Sequence, residues 1–482
     1  MPKRYKSFGC HRRALLCALL STLLLSACAS VPPRNSVKVE SLPARCESLL
    51  NSLEYQIQQH RVRDAQHSVV AGYPLLRINR LLAELANSAL NQSQRAAWLQ
   101  RAGELAIHDY LIEFINLPQA AKARLPSRGE IKAQLFDCAW QQQASLQQPA
   151  AWQALQPALR VESEYFGGRQ LLGLYPITNL GMKAGIQQWQ RQTRELFNQT
   201  ANRNEIPVVV WQHSPPAERV NSPTPWRYDS LGWPLLSANE WQSLASHYAP
   251  SWVIEQGGEF DQPGIPLPGA TFKPAEVVYW QGSVGQVHGQ LLPQISYVIW
   301  FAERPKAGSF DLLGGSLDGV IFRITFNRAG RPLIYDSIHP CGCYHLFFPT
   351  PQLAHCAVDG DREPAFVPQA APNKPFAVWL QSATHYVQGL KPSAASAARR
   401  GYQLLPLDRL RQAEPDGDRL YNGYGHVAGS ERLERFLLWT SGLVSPGGMR
   451  QWGNHATAFS GERYFDEPGL FDREFCLNAD NN

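Results

Sequence analysis

No common catalytic signature runs through this 482-residue chain. It has no HExxH helix for zinc, no Walker loop, no GxGxxG after a strand-like run and no CxxCH haem attachment. "GGSLDG" (314–319) approaches the GxSxG nucleophile elbow but lacks its closing glycine. These absences remove the well-marked enzyme classes and leave unmarked ones open. A bilayer span is missing as well. The apolar run "ALLCALLSTLLLSA" (14–27) is shorter than the ~20 residues a transmembrane helix needs. No repeat of solenoid or propeller period is present.

Excess charge is lacking once the N-terminus is set aside. The chain carries 45 basic and 40 acidic side chains. Five of the basic ones, Lys3, Arg4, Lys6, Arg12 and Arg13, precede the apolar run with no acid among them. A basic segment before a short apolar one is the layout of an export leader, here residues 1–27. The remainder of the chain is balanced in charge, so no electrostatic case remains for a nucleic-acid partner.

The run ends in "LSAC" (Leu25, Ser26, Ala27, Cys28), which resembles the lipobox of bacterial lipoproteins. In that class the small residues fit the signal peptidase and the cysteine thiol takes the diacylglycerol anchor. The resemblance covers only the first thirty residues. It implies lipidation at Cys28, a membrane partner through that lipid, and a body facing the periplasm. Ala29 and Ser30 after the cysteine, in place of Asp, imply sorting to the outer membrane. Residues 28–43, with prolines and small polar side chains, read as a tether.

Six cysteines remain beyond the leader and anchor: Cys46, Cys138, Cys341, Cys343, Cys356 and Cys476. An even number in an oxidising compartment makes disulfides the default. Cys46 and Cys138 lie in one helical region and are expected to pair.

The texture of the chain changes near residue 160. From 44 to about 156, apolar residues recur every three or four positions, as in "SQRAAWLQRAGELAIHDYLIEFI" (93–115) and "RGEIKAQLFDCAWQQQASLQQ" (128–148). Beyond 160, short β-branched and aromatic runs alternate with Gly and Pro: 169–177, 206–211, 251–256, 275–281, 294–302, 319–326, 331–338, 344–348 and 376–387. "NRAGR" (327–331) predicts a hairpin turn. Helices are expected at 179–197, after the capping box "SANE" (237–240), and over 429–439. The expected fold is α+β, with a helical domain (44–160) followed by a larger, mainly antiparallel β-rich α+β domain (161–482).

Candidate chemistry concentrates in "IHPCGCYHLFF" (338–348), where His339, Cys341, Cys343 and His345 alternate. On a straight strand the two histidines would stand roughly 20 Å apart, too far to share one ion. "HPCG" matches the residue preferences of a type I turn, which makes this segment a hairpin tip. A two-residue loop would then set Asp336 opposite His345. Asp336, Ile338, Cys343 and His345 would share one face, and Ser337, His339 and Tyr344 the other.

Three readings compete. In the first, Cys341 or Cys343 pairs with Cys356 or Cys476 in disulfides. In the second, His345 and Cys343 join His355 or Cys356 around zinc or copper, which suit thiolate and imidazole together. In the third, the Cys341–Cys343 pair itself is redox-active. Asp336 with His345 could also serve in acid–base work, or simply satisfy a buried histidine. The C-terminal loop 447–468 gathers Arg450, Trp452, Asn454, His455, Arg463 and Asp466, the mix expected of a pocket wall or of an anchored loop. The functional expectation is a lipid-anchored, periplasm-facing envelope protein of binding or assembly type, with an envelope protein or peptidoglycan as partner. The alternative is a zinc- or copper-dependent hydrolase or oxidoreductase built around 336–356.

Overall fold

The computed structural model describes residues 42–198, 206–214, 226–356, 363–413 and 418–478. The leader, Cys28 and the tether up to residue 41 lie outside the described residues. Among the described residues, no helix is long and apolar enough to cross a membrane.

The helical part is built on α1 (Ala44–Gln59), α2 (Arg80–Ala86), α3 (Gln92–Ile115) and α4 (Arg128–Leu146). Two reciprocal caps start the long helices: Asn91 with Gln94 on α3, and Ser127 with Glu130 on α4. Each satisfies backbone amides that the first helical turn leaves without partners. The apolar stripes then meet, with Leu53 and Ile57 of α1 packing with Tyr110 and Phe114 of α3 and Ile131 and Leu135 of α4. Cys46 on α1 is joined to Cys138 on α4 in a disulfide.

The rest is organised by one mixed ten-stranded sheet. Its strands in chain order are β1 (Val208–His213), β2 (Trp252–Glu255), β3 (Val277–Val287), β4 (Gln290–Arg304) and β5 (Gly315–Phe326). β6 (Pro332–Ile338), β7 (Leu346–Pro349), β8 (Ala377–Leu380), β9 (Val387–Lys391) and β10 (Ala398–Pro406) complete it. In space the order is β7-β6-β5-β4-β3-β10-β1-β2-β8-β9. β3 to β7 form an antiparallel meander. β10 joins this meander to the other four strands. Ala398–Tyr402 run parallel to β1, and Gln403–Pro406 run parallel to β3. The architecture is α+β.

Two local expectations are corrected. Residues 169–177, expected as a strand, are helical: Gly167–Leu172 forms one helix and α5 (Tyr175–Asn198) begins directly after it. Gln170, Leu171 and Leu172 lose little rotamer freedom in a helix, and no strand edge is offered to them. The helix expected over 429–439 is reduced to Arg435–Leu438 and a 3-10 turn at Trp439–Ser441. Upstream, the Arg432 guanidinium donates to the Gly315 and Leu317 carbonyls and the Ser430 hydroxyl to that of Val427, which holds the chain in turns. The run 376–387 splits into β8 and the start of β9 around a turn at 381–386, and the other signals correspond to observed elements. The Ser237–Glu240 box caps α6 (Ala238–His247), and Asn327–Arg331 closes the β5–β6 hairpin.

A buried ionic cluster fastens the helical part to the C-terminal segments. Arg411 reaches both Asp64 (2.9 Å) and Asp109 (2.5 Å), while Arg77 reaches Asp109 (3.0 Å) and Glu113 (2.8 Å). All five side chains are almost fully buried. Arg80 adds a second clasp to Asp466 (3.1 Å).

Candidate functional site

The β6–β7 hairpin places the 336–345 side chains. Its tip is the expected turn, with the Gly342 amide donating to the His339 carbonyl at 2.8 Å. The return strand carries two extra residues that the simple loop did not anticipate. Gly342 adopts φ +91° and Tyr344 φ +62°, so Ser337 faces Leu346 and Asp336 faces Phe347, not His345. A slip of two preserves the faces, because side chains alternate with period two. His345 therefore still meets Asp336, donating from Nε2 at 2.9 Å, and its ring stacks on Phe347.

Asp336 has a stronger partner that the sequence reading missed. Arg323 on β5 lies directly across and donates to both carboxylate oxygens, at 2.9 and 2.6 Å. Burial opposes the charge on Asp336, but the Arg323 guanidinium and the His345 hydrogen bond together outweigh it and keep the carboxyl below its ordinary range. Burial acts the other way on His345 and lowers its pKa to about 4, despite the Asp336 hydrogen bond. Its Nδ1 is buried without a partner. The result is a neutral imidazole on a carboxylate already neutralised by arginine.

On the other face an alternating chain of imidazoles and carboxylates runs into the core. His339 Nδ1 donates to Asp318 at 3.0 Å, and His385 Nδ1 donates to the second Asp318 oxygen at 2.9 Å. His385 Nε2 stands 3.4 Å from Asp261. Burial would discharge His385, but the close Asp261 carboxylate and the hydrogen bond to Asp318 raise its pKa. The ring lies flat on Phe301, 3.9 Å between centroids. His339, by contrast, is lowered by burial. Its Nε2 has no hydrogen-bond partner among the described residues, and its ring lines a cavity of about 10 Å³ with Trp189, Thr193, Ser337, Tyr344 and Tyr386. That is room for about one water. Asp261, Asp318 and His385 come from three separate loops and strands, and no spacing in the chain links them.

The expected disulfides of Cys341 and Cys343 with Cys356 or Cys476 are corrected. Cys356 pairs with Cys476, tying Leu353–His355 to Phe475–Leu477, while Cys341 and Cys343 stay free and buried. The Cys343 amide donates to the Cys341 sulfur at 3.4 Å, and the adjacent Cys341 side chain together with burial pushes the Cys343 thiol well up. Cys356 is thereby withdrawn from the zinc or copper ligand set. His355 lies apart on the exposed short strand, nearest to Glu474 at 3.9 Å. Among the described residues, no group of three or more His, Cys, Asp or Glu is arranged to hold a metal ion.

The C-terminal loop divides between anchoring and lining. Arg450 bonds Glu164, the Cys341 carbonyl and the Val444 carbonyl. Asn454 donates to the Ala65 carbonyl, and Arg463 donates to Thr457 and to the Glu363 carbonyl. His455 is buried and kept neutral, its pKa lowered by burial to about 3. Trp452 and Asp466 do line a cavity of about 40 Å³ with mixed polar and apolar walls, together with His67, Ser283, Gln294 and Arg323. That space holds a few waters, not a sizeable ligand.

A different surface stands out by exposure. On the helix pair 167–198, Phe166, Leu171 (79%), Leu172 (78%), Leu174, Ile177 and Leu180 face solvent. Leu433, Phe436, Leu437 and Trp439 do so on the neighbouring turn. Gln170 donates to the Ser441 carbonyl at 2.9 Å, the Phe166 amide to that of Gly442 at 2.9 Å, and Arg169 to that of Leu443 at 2.9 Å. A side chain on Gly173 would strike Thr440 at 2.6 Å. The two segments therefore form one surface. Leu312 and Phe310 (93% exposed) adjoin it, since the Glu434 amide bonds the Leu312 carbonyl.

No family model, curated protein or solved structure matches the chain. Function is therefore argued from its own residues.

Proposed function

We propose that this chain is a lipid-anchored, periplasm-facing envelope protein, held at the outer membrane through Cys28, that works by binding or assembly. An envelope protein or peptidoglycan is its partner. One contrast carries the choice of binding over turnover. The chemistry-bearing side chains of 336–345 are buried and engaged with one another, whereas about a dozen large apolar side chains stand exposed on one face. Exposed apolar surfaces of this kind mark interaction sites. Two disulfides among the described residues fit an oxidising compartment, and the LSAC leader supplies the anchor.

The test joins lipid labelling to metal analysis. The full chain expressed with labelled palmitate should carry the label and fractionate with outer membranes, and Cys28→Ala should abolish both. A Cys28→Ala chain that keeps the label would overturn the anchor. Protein purified without chelator should hold substoichiometric zinc and copper, and a full equivalent of either would favour catalysis over binding.

A further inference from the structure

We propose that the apolar face formed by residues 166–180 and 433–439 docks on the phospholipid bilayer that carries the anchor. The inference rests on the lipid anchor proposed above and names what the exposed surface touches.

The arrangement of this face favours a lipid surface over a second protein. Leu171, Leu172, Leu174 and Ile177 lie along one helix, a bend and the start of the next, and the adjoining turn adds Phe436 and Leu437. All project outward. They make a helix-borne apolar face, the kind that settles in the plane of an interface roughly 5–10 Å deep at the headgroup–acyl boundary. Cations sit around it. Residues 166–183 contain Arg169 and Lys183 and no acid, and 435–441 contain Arg435 and no acid. Arg169 lies against Phe166, and Arg435 against Phe436, at 5.9 and 4.9 Å from the ring centres. An arginine beside an apolar residue at an interface keeps its stem in the apolar phase and its guanidinium among headgroup phosphates. The nearby carboxylates are tied to their own segments. Glu434 is buried, Asp311 accepts the amides of its own loop, and Glu431 accepts the Gly429 amide.

The length of chain outside the structure adds a constraint. Only residues 28–41 separate Cys28 from the first described residue, so the body stays within ~50 Å of the bilayer even with that segment fully extended. At such confinement, a modest affinity per side chain suffices to keep the face on the membrane.

The test uses the full lipidated chain in vesicles of phosphatidylethanolamine and phosphatidylglycerol, with a trace of phospholipid bearing a photoreactive acyl group. Crosslinked peptides are mapped by mass spectrometry, and lipid on Cys28 is measured separately. Label should concentrate in 166–181 and 433–441. The variant Leu171→Asp/Leu172→Asp, altered at two exposed positions, should keep its anchor and its circular dichroism. It should lose label in both segments by about tenfold or more, the loss expected when two leucines leave an apolar phase. Three results would overturn the docking: an anchored chain with no label in these segments, label unchanged in the variant, or the same face crosslinked to a second copy of the chain. A chain without lipid on Cys28 would instead remove the anchor, whatever its labelling pattern.

Discussion

Arg323 and Asp336 face each other across β5 and β6 in the interior of the sheet, joined by hydrogen bonds of 2.9 and 2.6 Å. Both are buried, and Arg323 also donates to the Phe465 carbonyl at 2.6 Å. Removing one partner strands the other charge in the protein interior. Arg323→Met or Asp336→Asn should each destabilise the protein by about 3–5 kcal/mol, while the double change should cost much less than the sum. Denaturant titrations of the four proteins measure this, and additive losses would contradict the pairing.

His345 gives the fold a pH dependence with a defined sign. The folded ring titrates at about 4, whereas the unfolded ring titrates at about 6.5. The unfolded chain therefore takes up a proton first as the solution is acidified. Stability is intact above the ordinary histidine range, falls as pH drops from about 6.5 to 4, and levels off below that. The loss is on the order of 3 kcal/mol at 1.36 kcal/mol per pKa unit. His345→Gln should flatten this part of the stability–pH curve, measured by urea unfolding, and an unchanged slope would refute the assignment.

Arg411 is the cation shared by Asp64 and Asp109. Arg411→Met leaves two buried carboxylates without it, so a loss of at least about 3 kcal/mol is expected. The loss should appear locally as well. Amide exchange in 62–67 and 107–114 should accelerate more than in β4 and β5, and uniform protection there would show that the clamp is dispensable.

The cysteines predict a specific chemical count. Mass mapping should find Cys46–Cys138 and Cys356–Cys476, with Cys341 and Cys343 modified only after denaturation. Cys46→Ala/Cys138→Ala should cost about 2–5 kcal/mol, because the bridge closes a long stretch of chain. Rapid labelling of Cys341 or Cys343 in the native protein would contradict their burial.

Much of the fold could be read locally. The three-to-four-residue apolar spacing marks α3 and α4, and Ser237 with Glu240 marks the start of α6. The pair Asp336–His345 was legible from the turn and the two-residue alternation, even though Gly342 and Tyr344 shift the register. Arg323 was legible in principle. β6 carries one charge, Asp336, and β5 carries two, Asp318 and Arg323, so an irregularity between Pro332 and Ile334 decides which of them Asp336 faces. Asp318, His385 and Asp261 were not legible. They meet only through long-range packing, 21 and 67 residues apart around Asp318 in the first two contacts. β10 escaped notice for a related reason. "ARRGYQLLP" is polar at its start, and its strand character comes from two neighbours far upstream.

That strand has a consequence for how the molecule comes into being. In a chain made from its N-terminus, β1 and β3 both exist long before residues 398–406 emerge, and each has a bare edge waiting for them. The two half-sheets can form early, but they cannot be sewn together until the last fifth of the polypeptide arrives. Unpaired edges invite pairing with other chains. A chain truncated before residue 398 should therefore be prone to aggregate, and the newborn protein passes through that exposed stage each time it is made.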